Sequence, residues 1–132
     1  MATYITRTAA GQTLSTSYVT LTSNFGDSNL SLNVPADVSS IKSIRIGVTA
    51  PNATGDFVTG LRLEGLGVNQ GQADFTGPAL QNQVTTSGAA AAETSISIPV
   101  DVPVTGSQSM NIKMASTVSA ANCDVCVELC FA

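Results

Sequence analysis

Histidine and tryptophan are both absent from this 132-residue sequence, and charged residues make up only 11% of it. Without histidine, a serine or cysteine nucleophile lacks the base that most often activates it. A four-ligand zinc site would have to combine the three cysteines with a carboxylate, because there is no imidazole in the chain. The small charged fraction also excludes a disordered acidic tail and most charged helical bundles.

Carboxylates are the acid and base groups that remain, and their spacing does not single out a catalytic pair. The nine are Asp27, Asp37, Asp56, Asp74, Asp101, Asp124, Glu64, Glu93 and Glu128. The dense acidic loop that holds calcium in helix-loop-helix sites is missing as well. We therefore predict that the protein is not an enzyme, and that it has no catalytic, cofactor-binding or metal-binding residues.

Basic residues are few and scattered, and the formal net charge is −4. The five are Arg7, Lys42, Arg45, Arg62 and Lys113. Proteins gain most of their affinity for nucleic acids from clustered basic residues, so we predict no direct nucleic-acid contact. No apolar run approaches the ~20 residues that cross a bilayer, and the start of the chain lacks a basic segment followed by an apolar one. The sequence thus predicts neither a membrane span nor a secretory signal.

The three cysteines, Cys123, Cys126 and Cys130, lie close together near the end of the sequence, and the C-x-x-C spacing suggests a zinc or redox site. The surrounding pattern instead predicts a strand, because apolar residues alternate with other types. These apolar residues are Val125, Val127, Leu129 and Phe131. On a strand, Cys126 and Cys130 share a face about 13 Å apart, whereas a disulfide needs Cα atoms within about 7 Å. We predict reduced, mostly buried thiols; a metal site or an intermolecular disulfide is the alternative.

Short alternating runs, separated by clusters of Gly, Asn, Asp, Ser and Pro, predict eight or nine strands and no stable helix. The runs are Leu14–Thr22, Leu30–Val34, Ile41–Ala50, Phe57–Leu66, Gln72–Thr76, Leu80–Val84, Ile96–Val104, 110–114 and 123–131. The alanine-rich stretch Gly88–Glu93 is too short for an independent helix and is predicted to be a loop. The fold class is therefore all-β, an antiparallel sandwich. A jelly roll is the favoured topology, although immunoglobulin-like sandwiches share the same strand signals.

Prolines and glycines refine this arrangement. Pro99 and Pro103 remove two N–H donors from the same side of the Ile96–Val104 run, so we predict that this strand lies at a sheet edge. The segment Gly60–Gly71 contains four glycines, but no helix pattern and no Lys-Ser/Thr pair follows them. We interpret it as a strand with a bulge and a tight turn rather than a phosphate-binding loop.

Residues 1–13 have no clear place among the predicted strands, so we expect an extended arm followed by one sandwich domain over residues 14–132. Small soluble monomers usually carry a charged surface that prevents association. A chain with so few charges is expected to cover its surface with copies of itself or with a partner. An extended arm suits this, because it can add a strand to the open edge of a neighbour.

The order of these segments resembles that of small single jelly-roll virion proteins. The matching pieces are Val34-Pro-Ala-Asp-Val-Ser-Ser-Ile-Lys-Ser-Ile-Arg-Ile, Gly60-Leu-Arg-Leu-Glu-Gly, Ile98-Pro-Val-Asp-Val-Pro-Val and the closing hydrophobic strand. The resemblance covers residues 14–132 and consists of strand and turn signatures. It implies eight strands in two four-stranded sheets, and a subunit that builds, cements or decorates an icosahedral shell by self-association.

From this resemblance we expect a capsid, decoration or spike subunit in the virion, with copies of itself and other virion proteins as partners. The absence of an Arg/Lys-rich arm distinguishes the chain from RNA-virus members that package the genome. Two alternative functions agree with the same amino-acid composition. One is a sandwich subunit of an extracellular filament or surface layer that polymerises by strand donation, and the other is a glycan-binding or adhesin module.

Overall fold

The computed structural model describes residues 2–22, 31–50, 57–67, 71–80 and 92–132, and every regular element in these ranges is a strand. The nine strands are β1 (Thr3–Leu14), β2 (Val19–Thr20), β3 (Ser31–Asn33), β4 (Ser40–Ala50), β5 (Phe57–Glu64), β6 (Gln72–Leu80), β7 (Ala92–Pro103), β8 (Ser109–Ser116) and β9 (Ala120–Phe131). The all-β prediction is confirmed. Residues 81–91, which contain most of the predicted Leu80–Val84 strand and of the predicted alanine-rich loop, lie outside the described residues.

The strands form two antiparallel sheets. Sheet I has the order β1-β9-β4-β7, and sheet II has the order β2-β8-β5-β6, with β3 also paired to β8. The chain pairs as one long hairpin, because β1 joins β9, β2 and β3 join β8, β4 joins β7, and β5 joins β6. Rolling this hairpin brings β4 against β9 and β5 against β8. This is the jelly-roll topology that the sequence favoured, with β2 and β3 sharing the place of one strand.

The hydrophobic core lies between the two sheets and follows the period of two along the strands. In β5, residues 57, 59, 61 and 63 are buried and the residues between them face outward. The largest fully buried side chains are Phe131, Leu14, Leu21, Ile41, Ile44, Ile46, Leu61, Leu63, Leu66 and Met110. Thr59 is the polar residue among these four buried residues of β5, and its hydroxyl donates a hydrogen bond to the carbonyl of Pro78 at 2.8 Å. Both sheets therefore contribute to one continuous core.

The segment expected to be an extended arm is instead a strand of the sandwich. Strand β1 pairs with β9 of the same chain from Thr3 opposite Phe131 to Leu14 opposite Ala120, with register shifts after Ala9. Strand β9 needs this partner, because its other side is already paired with β4 and buried backbone groups require hydrogen bonds. The structure corrects the predicted boundary at residue 14, which is the last residue of β1.

The run Leu14–Thr22 was predicted to be one continuous strand, and this is also corrected. The chain bends after Leu14, where the amide of Ser17 donates to the Ser15 hydroxyl at 3.3 Å and that hydroxyl donates to the Ser17 carbonyl at 3.2 Å. Serine side chains compete in this way with ladder hydrogen bonds. Only Val19–Thr20 then pairs with β8.

Strand β7 lies at the edge of sheet I, as its prolines predicted. Pro99 and Pro103 are aligned with Ser43 and Ser40 of β4. Both prolines lack the N–H that a strand on the outer side of β7 would need. The outer side of β7 therefore lacks two of the N–H donors that a further strand would need.

The glycine-rich segment forms the predicted turn in its described part. The register shift between β5 and β6 lies outside the segment, because Thr59 is opposite two residues of β6, Gly77 and Pro78. The extra residue of this bulge therefore belongs to the partner strand and not to the glycine-rich segment. Strand β5 ends at Glu64, and the next residue, Gly65, has a φ of 79° and donates its amide to the carbonyl of Gly71 at 2.9 Å. Residues 68–70 lie outside the described residues.

Candidate interaction surface

Alternation along β9 accounts for Cys123 and Cys126, whereas Cys130 is buried although it shares a face of the strand with the exposed Cys126. All three cysteines are reduced thiols; Cys123 and Cys130 are buried and Cys126 is exposed. Cys123 faces the core, where burial raises the pKa of its thiol and the nearby charge of Asp124 raises it further. Cys126 faces outward next to Gly47 of β4. The prediction of mostly buried thiols is confirmed for two of the three.

The outer surface of sheet I, called here the sheet I face, is broad and consists mainly of small polar side chains. It comprises Thr6 and Thr8 of β1, Asp124, Cys126 and Glu128 of β9, Ser43, Arg45, Gly47 and Thr49 of β4, and Ser95 and Ser97 of β7. At its β1 margin, the side chain of Tyr4 is 63% exposed. Hydroxyl groups and small side chains thus cover most of the four strands.

A depression of about 690 Å³ lies in the middle of the sheet I face, and Gly47 is part of its floor. A Cβ atom at Gly47 would lie 3.7 Å from the Cβ of Ser95 and 4.0 Å from that of Cys126. These are ordinary van der Waals distances, so a side chain at position 47 could begin to fill the hollow without a clash at its Cβ. Arg45 and Asp124 contribute to its rim.

The charged groups of the sheet I face have few partners within the molecule. Arg45 and Glu128 are aligned across β4 and β9. Glu128 accepts a hydrogen bond from the Thr6 hydroxyl at 3.2 Å, and Asp124 accepts one from the Gly11 amide at 3.0 Å. The three ion pairs of the described residues join Lys42 to Asp101, Arg62 to Asp74 and Lys113 to Glu64. Arg45, Asp124 and Glu128 belong to none of these pairs.

The outer surface of sheet II, called here the sheet II face, differs because its charges neutralise one another. Arg62 makes two hydrogen bonds to Asp74, at 2.8 and 3.0 Å, and Lys113 lies 2.9 Å from Glu64. The Arg62 guanidinium also lies over the Tyr18 ring, 4.0 Å from its centroid.

Gly60 makes this arrangement possible, because a Cβ at that position would come within 2.9 Å of the Tyr18 hydroxyl. The ring can therefore lie close to β5. The groups of the sheet II face are thus largely satisfied within the chain.

We expect the Arg62–Asp74 pair to add a small, pH-dependent term to stability. Hydrogen bonds from Arg62 lower the pKa of Asp74 in the folded protein, so this stabilisation is present above the unfolded-state pKa and is lost as the pH falls through the folded-state value. Because both side chains are partly exposed and screened by solvent, the expected contribution is small. Urea unfolding of the wild type and of Asp74→Asn should therefore differ at neutral pH and converge towards pH 2. A difference that stays constant down to pH 2 would contradict this role.

Sequence reasoning predicted no catalytic, cofactor or metal residues, and it did not anticipate the sheet I face. The described part of the chain contains no cluster of three or more side chains suited to a metal ion. Among the same residues there is no helix with the length and apolar character needed to span a bilayer. The apolar residues Ile44 and Ile46 on either side imply that Arg45 faces outward, but the alignment of Gly47 with Cys126 depends on a long-range pairing.

Comparison with known proteins shows similarity of fold without similarity of sequence. No family model matches the chain, and no curated protein sequence matches it. A chain of the T13 particle of infectious bursal disease virus is similar with a TM-score of 0.50 and 13% identity, over 98% of this chain and 34% of that chain. Dimeric latent PorU from Porphyromonas gingivalis gives a TM-score of 0.57 and 9% identity, over 98% of this chain and 12% of that one.

A carbohydrate-binding module of a family 9 glycoside hydrolase from Ruminococcus flavefaciens covers 94% of this chain and 99% of its own, with 14% identity and a TM-score of 0.40. At that TM-score the two backbones differ too much for a comparison of sites. The chain spans about a third of the viral chain and about an eighth of PorU. The likeness therefore concerns the fold alone: the chain has a β-sandwich similar to that of a viral particle protein.

Proposed function

We propose that the protein is a non-enzymatic structural subunit of a virion, a capsid, decoration or spike component that acts by binding copies of itself. The observation that carries this proposal is the sheet I face. It is wide and rich in small polar groups, and it carries three charged side chains outside the ion pairs of the described residues. Monomeric domains usually protect such surfaces with many charges, and this chain has only 11%.

The fold agrees with this role but does not specify it. The similarity to a chain from a viral particle supports a virion location. Because jelly rolls host many functions, the surface rather than the topology is the argument for assembly.

The contacts of the basic residues support a subunit that does not bind the genome. Lys42, Arg62 and Lys113 are each held by an acidic partner. Arg7 donates to backbone carbonyls, at 3.4 Å to that of Ser31 and at 3.2 Å to that of Thr6. Arg45 belongs to none of the ion pairs of the described residues, but one basic group is too few for nucleic-acid binding, which requires several together. We propose that this subunit binds other proteins and not nucleic acid.

A filament or surface layer formed by strand donation is the second candidate. Strand β1 favours it, because it is a 12-residue edge of sheet I without proline. However, side chains already occupy two of its carbonyls: Arg7 donates to that of Thr6, and Gln12 donates to that of Ala10 at 2.8 Å. A donated strand would have to displace both contacts.

Electron microscopy and sedimentation velocity of the purified full chain, over a concentration series, test these roles. We expect closed particles or discrete oligomers whose population rises with concentration. Rods would select the filament instead. A monomer at every concentration would overturn the assembly proposal, and binding of that monomer on a glycan array would support the glycan-binding alternative.

A further inference from the structure

We infer that two copies of this chain pack sheet I face against sheet I face, about a two-fold axis that runs between β4 and β9. This inference rests on the proposed self-association and identifies the contact that produces it. Closed homo-oligomers most often use such an axis, which places the same surface of both copies in contact.

The position of the axis follows from the strand order. Strands β9 and β4 are the two central strands of sheet I, so the line between them is the middle of the sheet I face. Across this line, Arg45 is aligned with Glu128, and Gly47 with Cys126. A two-fold axis along the line exchanges the positions of β4 and β9. Arg45 of one copy therefore faces Glu128 of the other, and Cys126 faces Gly47.

The shapes at the centre are complementary in this arrangement. Cys126 is exposed and projects from β9, whereas Gly47 has no side chain and contributes to the floor of the central depression. The thiol side chain of each copy can enter the hollow above the other copy's glycine. Two such contacts, related by the axis, fill space that is empty in the single chain.

The charges are complementary as well. Arg45 belongs to none of the ion pairs of the described residues, and Glu128 accepts only a hydroxyl hydrogen bond from Thr6 among the hydrogen bonds of those residues. Opposite charges that meet across an interface favour the correct partner and register, and like charges oppose association. The sheet II face offers no such pairing, because its arginine and lysine are already held by Asp74 and Glu64.

The area is sufficient for a specific dimer. Four strands spaced about 4.8 Å apart, each about 36 Å long at ~3.3 Å per residue, give roughly 700 Å² per copy. The two copies together would bury about 1,400 Å², within the range of about 1,200 to 2,000 Å² for stable interfaces. Aligned sheets pack face to face in this way within ordinary sandwiches.

Two charge-reversal variants of the full chain test the arrangement. In a dimer of Arg45→Glu, or in a dimer of Glu128→Arg, residue 45 of each copy would face a like charge at residue 128 of the other copy. This repulsion would occur at two symmetry-related positions. In an equimolar mixture, the mixed dimer joins opposite charges at both positions. By sedimentation equilibrium, we expect each variant alone to associate roughly a hundred-fold more weakly than wild type, and the mixture to recover most of this loss. Rescue by mixing requires contact between copies, so a change within one chain does not explain it.

A matched pair of glycine variants tests the central hollow. Gly47→Glu fills it with a charged side chain, and its Cβ meets only ordinary contacts. Gly71→Glu introduces the same charge where no atom lies within 4 Å of the new Cβ. We expect the first to abolish dimers, the second to leave them unchanged, and the thermal unfolding midpoints of both to stay close to wild type.

The outcomes separate this inference from the proposed function. If particles form and all four variants assemble like wild type, or if mixing gives no rescue, the inference is wrong and the structural role stands. If the variants behave as expected but the wild type stops at a dimer, the inference stands and the shell proposal fails. A wild type that is monomeric at every concentration overturns both.

Discussion

Replacing Phe131 by alanine should reduce the free energy of unfolding by about 3 to 5 kcal/mol, which is a large share of the total for a domain of this size. Phe131 is completely buried and is the largest of the fully buried side chains in the described part of the chain. It ends β9 between Thr3 of β1 and Ile41 of β4, so its removal leaves a cavity where three strands meet. Urea unfolding measures the loss as a lower midpoint with an unchanged slope.

Tyr4→Ala is the matched control for this prediction, because it removes a large aromatic ring from the adjacent strand. The Tyr4 side chain is 63% exposed on the sheet I face, so its loss should cost less than about 1 kcal/mol. Phe131→Leu keeps most of the buried volume and should cost less than the alanine variant. Equal losses for Phe131→Ala and Tyr4→Ala would show that burial of Phe131 contributes little to the core.

The sequence was sufficient to predict those features of the fold that depend on local properties of a single strand. Period-two alternation predicted that the cysteine-containing run is a strand. Cys123 and Cys126 are three residues apart on it and so lie on opposite faces, and the structure has one buried and the other exposed. Two prolines on the same side of β7 predicted an edge, and β7 is the edge of sheet I. Both inferences need only local geometry and the hydrogen-bonding capacity of the backbone.

Strand β1 was not predicted because its apolar alternation is incomplete in the sequence and its pairing partner is distant along the chain. Arg7 occupies a core-side position between the partly buried Ile5 and the buried Ala9. An arginine there breaks the apolar alternation. The structure accommodates it at the sheet edge, where its guanidinium reaches the Ser31 carbonyl. The partner that makes β1 a strand is β9, at the other end of the chain.

The candidate surface was not predictable from the sequence for the same reason. Gly47 and Cys126 are ordinary residues in their own strands, and they become a hollow and an exposed thiol side by side only when β4 pairs with β9. The jelly-roll hairpin brings such distant segments together. The two outer faces then differ, since the charges of the sheet II face form ion pairs within the chain, whereas Arg45 and Glu128 belong to none of the ion pairs of the described residues. Low overall charge predicted association, and the pairing of strands identifies the surface through which we propose that it occurs.

Replacing Gly65 by alanine should destabilise the protein by roughly 2 to 4 kcal/mol, although it adds only one methyl group. Gly65 has a φ of 79°, which costs an alanine about 1 to 2 kcal/mol, and a Cβ there would lie 2.5 Å from the backbone carbonyl oxygen of Ser109. Because that oxygen belongs to β8, the clash can be relieved only by moving the strand or the turn. Gly71→Ala, with no atom within 4 Å of its Cβ, should change stability by less than about 1 kcal/mol. Thermal unfolding of the two variants compares them directly, and a Gly65→Ala protein as stable as Gly71→Ala would show that this turn tolerates an ordinary side chain.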